Sequence, residues 1–362
     1  MEDTEQILAI SKKKIKTILK DPVKTAEAIN LIYVSNTDDG ISRIKKGQSF
    51  SYTFKGKKLT DKEDLARIHA LVIPPAWENV WICKSCNGHL QATGLDAKKR
   101  VQYKYHHSWN ALRNHTKFYR LHEFGKSLPK MRLALEKHIS APGLHQQKVL
   151  ATIVSVMERT HIRVGNNFYE KLYGSFGLTT LKDQHVHASG GSMRFTFKGK
   201  KGVHHNIELK NKKLVRIVQQ CKDIPGKELF QFYDDNDQRH AIDSGMVNEY
   251  IKYISESDFT AKDFRTWAGS VHALTAFKGM PGAASKTEKK KNMVAVLDEV
   301  SQHLGNTRTV CKKYYVHPLI MSLYEEEKLD KYFKQLDTIE INDDQAKLTV
   351  EEQVLMRILQ TN

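Results

Sequence analysis

Tyr314 and Tyr315 directly follow Lys312 and Lys313, inside the stretch from Leu304 to Pro318. A phenol ordinarily titrates at about 10, and nearby cations favour its ionised, nucleophilic form. A tyrosine so placed is a candidate covalent catalyst for phosphate chemistry. The same residues also suit an amphipathic helix with buried aromatics, and the stretch alone does not separate the two. Lys198-Gly199-Lys200-Lys201-Gly202 offers a lysine at a hairpin tip, able to swing into a bound backbone or simply to solvate the turn. Cys83 and Cys86, with His89 close by, have the spacing of half a zinc site. Structural zinc takes four ligands, usually from two such pairs, and Cys221 and Cys311 are isolated, so reduced loop thiols are expected instead. Asp234-Asp235-Asn236-Asp237 lacks the glycine and terminal glutamate of a calcium loop and reads as a turn. Gly-rich phosphate loops are absent, so use of ATP is not expected.

These residues need elements to hold them. Gly305 is expected to close one helix and Thr309 to cap the next. Pro22 after Asp21 marks a helix start. From Leu31 to Tyr105 short strands dominate: Ser49 to Phe54 alternates polar and aromatic residues and breaks at Lys55-Gly56-Lys57. Thr60 with Glu63 predicts a capping box for a short helix ended by Pro74-Pro75. Basic and aromatic residues interleave from Arg100 to Tyr105, as in a sheet that grips phosphates or in an ordinary surface strand. From Trp109 onward helices dominate. Residues 146–172 predict one long buried helix, or two with a break near Gly165. A small β insert follows, with strands expected at 178–181, 192–197 and 204–209. Asp243 and Thr260 are expected helix caps, and residues 281–292 read as a linker.

The chain has 362 residues with 58 Lys+Arg against 41 Asp+Glu, a formal charge of +17. The basic residues are spread along the chain, which fits a folded polyanion binder, with nucleic acid ahead of an anionic membrane surface. No apolar run is long enough to span a membrane. Met1-Glu2-Asp3 opens without an apolar signal core, and four cysteines do not make a disulfide framework. A cytoplasmic, nucleoid-associated, reducing location is therefore expected.

Seven segments in order resemble the small type IB DNA topoisomerases of poxviruses and bacteria. Ile73-Pro74-Pro75-Ala76-Trp77, Gln91-Ala92-Thr93-Gly94 and Gln102-Tyr103-Lys104-Tyr105 resemble that family's N-terminal signature. His161-Ile162-Arg163-Val164-Gly165-Asn166, Phe197-Lys198-Gly199-Lys200, Lys262-Asp263-Phe264-Arg265-Thr266-Trp267 and Tyr315-Val316-His317-Pro318 resemble its catalytic motifs. The resemblance implies Arg163, Lys200, Arg265 and Tyr315 as catalytic residues. Nine places before the tyrosine, Asn306 stands where poxvirus and eukaryotic members have histidine, as in bacterial members; an amide can still donate a hydrogen bond to phosphate but carries no charge. The resemblance further implies DNA contacts from Arg100, Tyr103, Tyr105, Arg113, Tyr169 and Lys262. It implies an α+β fold: a helical extension over residues 1–30, a β-rich clamp domain over 31–110, a mainly helical catalytic domain with a three-stranded sheet over 111–330, and a helical tail over 331–362.

The implied reaction is relaxation of supercoiled duplex DNA through a 3′-phosphotyrosyl intermediate, strand rotation and religation. It needs no ATP, since the ester conserves the bond energy, and no metal, since arginines, a lysine and an amide supply the electrostatics. A monomer clamped around DNA is expected, with no membrane partner. Two other readings compete. A tyrosine recombinase shares the arginine, lysine and tyrosine logic but would exchange strands at paired sites. A non-catalytic architectural protein would bind DNA without a covalent adduct.

Overall fold

The computed structural model describes residues 21–47, 49–96, 101–116, 118–338 and 346–361, and it divides into two compact units, Met1–Tyr119 and Arg120–Asn362. The protein is a mixed helix-and-strand molecule with small sheets. Of the expected extension at 1–30, residues 1–20 lie outside the described residues.

In the first unit the Asp21 side chain accepts from the Val23 amide at 2.9 Å and caps α1 (Pro22–Glu27). A six-stranded antiparallel sheet follows, ordered β3-β2-β1-β4-β5-β6: β1 Gly40–Lys46, β2 Ser49–Phe54, β3 Lys57–Lys58, β4 Glu78–Cys83, β5 Leu90–Leu95 and β6 Val101–Tyr105. Lys55 and Gly56 both take positive φ (49° and 77°), which lets two residues join β2 to β3. The helix α2 (Lys62–Ala70) is capped by Asp61, whose carboxylate accepts from the Asp64 amide at 2.8 Å. Thr60 was the expected cap; the adjacent carboxylate is the stronger acceptor. Ile68 of α2 packs against Ile41, Tyr52, Val80, Ile82 and Ala92 in the unit's main core. Arg43 of β1 donates to the carbonyls of Pro74 (3.0 Å) and Trp77 (2.6 Å), which fixes the Pro-Pro-Ala-Trp turn on the sheet. Helix α3 (His107–Thr116) ends this series.

In the second unit α4 (Tyr119–Ser140) leads to α5 (Gln146–Thr160), whose Val149, Ile153, Val154, Val156 and Met157 are fully buried. The break expected near Gly165 is a segment from His161 to Asn166, before α6 (Asn167–Tyr173). Residues 178–181 are not a strand: Leu178–Thr180 forms a 3-10 turn, because a short apolar run carries no period of its own. The three-stranded sheet consists of β7 (Val186–Ser189), β8 (Ser192–Lys198) and β9 (His204–Lys210), all antiparallel. In β8 the period-two pattern holds: Met193, Phe195 and Phe197 are buried, Arg194, Thr196 and Lys198 exposed. After α7 (Lys212–Lys222), the acidic Asp234 turn joins a further hairpin, β10 (Gln231–Tyr233) and β11 (Arg239–Ala241).

Helices then close the unit: α8 (Ser244–Ser255), α9 (Ala261–Lys278), α10 (Lys286–Leu304), α11 (Arg308–Tyr314), α12 (Pro318–Glu325), α13 (Asp330–Thr338) and α14 (Val350–Thr361). Asp243 caps α8, and Thr260 with Asp263 forms the capping box of α9. Residues 286–292, read as linker, belong to α10; Ser285 and Glu288 make a reciprocal capping box that starts the helix there. Thr307 rather than Thr309 caps α11, because Gly305 (φ 59°) ends α10 and the chain turns immediately. The stretch read as a tail is part of the core: Val354, Leu355, Met356 and Ile358 of α14 are buried with α9 and α5 residues. No described helix is long and apolar enough to cross a membrane.

Candidate active site

At the end of α5 the backbone of His161 swings into the left-handed region (φ 55°), and its amide still reaches the Met157 carbonyl at 2.8 Å. The following segment is pinned from the side. Leu178 and Thr179 of the 3-10 turn donate to the carbonyls of Arg163 (2.9 Å) and Val164 (2.7 Å). Arg163 is thus presented from a fixed edge. Its Nη2 donates to the Gly305 carbonyl at 2.9 Å and to Asn306 Oδ1. Asn306 Nδ2 makes only a 3.5 Å contact to the Leu304 carbonyl, which leaves it close to a full donor.

Arg265 sits on the second turn of α9 and is 4% exposed. Its Nη1 donates to the His161 carbonyl and its Nη2 to the Leu304 carbonyl at 2.8 Å, while its buried Nε has no partner. The guanidinium carbon lies 5.2 Å from the centroid of the Tyr315 ring. Tyr315 follows α11 directly, and α9 also holds its backbone: Ser270 Oγ donates to the Tyr315 carbonyl at 3.3 Å and accepts from the His317 amide at 3.0 Å. Tyr314 faces elsewhere, toward Lys262 (Nζ 5.7 Å from the ring centroid) and Lys313 (5.4 Å).

Among the described residues, neither Arg163 nor Arg265 forms an ion pair with a carboxylate. Burial lowers the pKa of both. For Arg163 burial comes first and the neighbouring Arg265 second, and together they hold it at about 10. Burial lowers Arg265 too, opposed by Tyr315 and Cys311. Two cations lie close together, with no carboxylate partner among the described residues, beside a phenol. That arrangement is suited to receive an anion such as a phosphodiester.

Lys200 opens the turn Lys200–Gly202 between β8 and β9, is exposed, and is followed by Lys201 in a left-handed conformation (φ 61°). The structure thereby brings Arg163 onto Asn306 and Arg265 against the Tyr315 ring, with Arg163 near enough to feel the charge of Arg265, and sets Lys200 on the β8–β9 hairpin. Five histidines lie around them, none of them a candidate site residue from the sequence. His205 of β9 packs on Phe197 (ring centroids 4.9 Å apart). Burial, then Arg163 and Arg265, push it down to about 4. The His161 ring meets His303 tilted by 52° at 4.7 Å, and His303 stacks on His272 at 4.2 Å. Burial lowers His161 to about 3 and His303 to about 4. His317 caps α12 through its ring nitrogen.

Of the implied DNA contacts, Tyr103 and Tyr105 stack on each other along β6 at 5.9 Å, with Tyr103 exposed. Lys262 lies on the first turn of α9 beside Tyr314. Arg100 lies outside the described residues, and for Arg113 on α3 and Tyr169 on α6 only the backbone is described. All four cysteines are free thiols, with Cys83 buried and its pKa raised by that burial. His89 stacks on Tyr33 at 4.2 Å. Among the described residues no group of three or more His, Cys, Asp or Glu side chains is arranged to hold a metal ion.

Residues 106–342 match the family profile described as eukaryotic DNA topoisomerase I, catalytic core. Residues 49–96 match that of the bacterial DNA topoisomerase IB N-terminal domain. The DNA topoisomerase 1B of Acanthamoeba polyphaga mimivirus is 31% identical over 298 residues, covering 79% of this chain and 88% of its own. DNA topoisomerase I of monkeypox virus is 24% identical over 240 residues, 65% of this chain and 72% of its own. The DNA topoisomerase 1B of vaccinia virus (strain Copenhagen) is similar to the same extent.

Proposed function

The chain belongs to the type IB DNA topoisomerases, and from that premise we propose how its residues divide the work. It is an enzyme of the type IB class, acting on DNA. The observation that carries the residue assignment is the neighbouring pair of guanidiniums, buried Arg265 against the Tyr315 ring and half-buried Arg163 beside it, neither paired with a described carboxylate.

In this reading Tyr315 Oη attacks a phosphodiester phosphorus in one strand, and its proton passes to water. The bond to the 5′-oxygen breaks as Lys200 Nζ protonates that oxygen. A 3′-phosphotyrosyl ester and a free 5′-hydroxyl result. Arg163 and Arg265 neutralise the non-bridging oxygens, with the fork of Arg163 already set by Gly305 and Asn306. Asn306 Nδ2 adds a third donor. After rotation of the free end, the 5′-hydroxyl attacks the ester and expels the tyrosine. One ester replaces another at each step, so ATP is not required. The charges at phosphorus come from the chain's own side chains, and a divalent metal is proposed to be dispensable. Tyr103, Tyr105 and Lys262, with Arg100, Arg113 and Tyr169, are proposed to grip the duplex, a single copy of the chain acting on supercoiled DNA.

The test is relaxation of supercoiled plasmid in EDTA without ATP. Wild type and Tyr314→Phe should relax it, whereas Tyr315→Phe should neither relax it nor leave a covalent adduct after denaturant quench. Activity lost in Tyr314→Phe and kept in Tyr315→Phe would move the nucleophile by one residue. Strand exchange between two sites in place of relaxation would favour the recombinase reading.

A further inference from the structure

The turn that carries Lys200 and the turn that carries Asn306 are more than 100 residues apart in sequence, and one imidazole lies between them. His205 is paired across the sheet with Phe197, and its ring stacks on that buried phenyl group at 4.9 Å with 21° between planes. This fixes which way the ring projects. The edge bearing Cδ2, Nε2 and Cε1 meets a glycine on each side. A Cβ added to Gly199 would lie 2.6 Å from Cδ2 and Nε2. A Cβ added to Gly305 would lie 2.6 Å from Cε1 and 3.2 Å from Nε2. Gly199 immediately precedes Lys200, and its amide is tied to the Val203 carbonyl at 2.7 Å across the turn. Gly305 immediately precedes Asn306, and its carbonyl accepts from Arg163. Real side chains essentially never approach a Cβ so closely, so the slot exists only while both neighbours are glycine. Pushed down to about 4 by burial and by Arg163 and Arg265, the imidazole is neutral at physiological pH and adds no third cation to the pair.

We propose that His205 is a positioning residue for proton delivery: wedged between Gly199 and Gly305, it docks the Lys200 turn against the Arg163–Asn306 turn and so sets where the lysine meets the leaving oxygen. The inference rests on Lys200 as the general acid. The hairpin has no other described ring at this seam to hold it. With the ring gone, the contacts described at the Lys200 turn that remain include its β9 pairing and the Phe176 amide on the Lys198 carbonyl at 2.8 Å. A displacement of about 1 Å at a catalytic group suffices for a loss on the order of 100-fold.

The experiment uses the full chain and a duplex whose cleavage site has been mapped by trapping the covalent adduct. Single-turnover cleavage is measured with the ordinary 5′-bridging oxygen and with sulfur in its place, since a thiolate leaves without being protonated. His205→Ala should slow cleavage of the oxygen substrate about 10- to 100-fold with DNA affinity unchanged. It should recover most of that loss on the sulfur substrate. His205→Gln, whose flat amide fills part of the slot, should lose less. Gly199→Ala is the approach from the other side: φ is −92° there, so alanine meets no backbone strain, only the imidazole. It should reproduce the His205→Ala defect, and the double variant should be no slower than either single one. Wild-type cleavage by His205→Ala, an equal defect on both substrates, or additive defects in the double variant would each overturn the inference. Lys200→Ala run alongside separates the two failures. If the sulfur substrate does not rescue it, the general-acid reading of Lys200 falls, while the double-variant cycle still decides whether His205 docks the turn.

Discussion

Arg163 and Arg265 have the same chemistry but differ in what their hydrogen bonds hold together. Arg265 joins two chain segments from within the core, taking the His161 carbonyl at the end of α5 and the Leu304 carbonyl at the end of α10. Arg163 takes two acceptors from a single turn, Gly305 and Asn306. Lysine cannot span two carbonyls with a planar fork. Arg265→Lys is therefore expected to lower both cleavage, by about 100- to 1000-fold, and the melting temperature. Arg163→Lys should lower cleavage comparably while leaving the melting temperature close to wild type. Single-turnover cleavage and thermal denaturation on the same preparations check this; equal melting shifts would show that the two arginines have the same structural weight. Arg163, Arg265 and Tyr315 could be singled out as candidates from the sequence because each stands in a distinctive local motif, and the fold places them near one another. His205 was not, because its place depends on the cross-strand partner Phe197 and on glycines at 199 and 305, which local pattern does not bring together. The departure at Asn306 was visible, but not that its carbonyl oxygen is occupied by Arg163.

Elements were read best where a period repeats, as in β8 and α5, and worst where one residue decides. Asp61 for Thr60 and Thr307 for Thr309 are cases where neighbouring residues both suit a cap and the turn geometry chooses. The last helix, α14, shows a larger gap: its role depends on a buried ionic contact between distant segments. Glu352 is 6% exposed, receives Trp267 Nε1 at 2.9 Å and accepts a bidentate pair from Arg132 at 2.8 and 2.9 Å. Arg132 also reaches Glu158 of α5 at 2.8 Å. One carboxylate from α14 thus ties together α4, α5 and α9, the helices that lead to Arg163 and carry Arg265. Removing one partner of such a buried group strands the others. Glu352→Ala is expected to destabilise the protein by about 3–5 kcal/mol, measured by urea denaturation. Glu352→Gln keeps an acceptor for the Trp267 indole and should lose less. A loss below about 1 kcal/mol for the alanine variant would mean that water replaces the carboxylate and that α14 is not held by this contact.

For the molecule as a whole, the expected mixture of helices and small sheets is present, because segments of period-two alternation and of helical periodicity both occur along the chain. The concentration of histidines around the arginine pair was not apparent, since they come from α5, β9, α9 and α10. It makes the protein's stability respond to acid in a definite way. His161, His205 and His303 are all held below the ordinary histidine range, His161 at about 3 and the other two at about 4. In the unfolded chain each would take up a proton near its ordinary value of about 6.5. Between those limits the unfolded state binds more protons than the folded one, so stability falls as the pH falls. Well above about 6.5 the three rings are neutral in both states and contribute no slope. The melting temperature should accordingly be nearly flat above about pH 7.5 and decline from there with increasing slope toward about 4.5. His161→Asn isolates one contribution: asparagine tolerates the left-handed backbone at this position, and the carbonyl that receives Arg265 is retained. The variant should lose at most about 1.4 kcal/mol of pH dependence per pH unit within that window. If its slope equals that of the wild type, His161 is protonated in the folded protein as readily as in the unfolded chain. The arginine pair would then have an accommodated cation for a neighbour instead of a neutral ring.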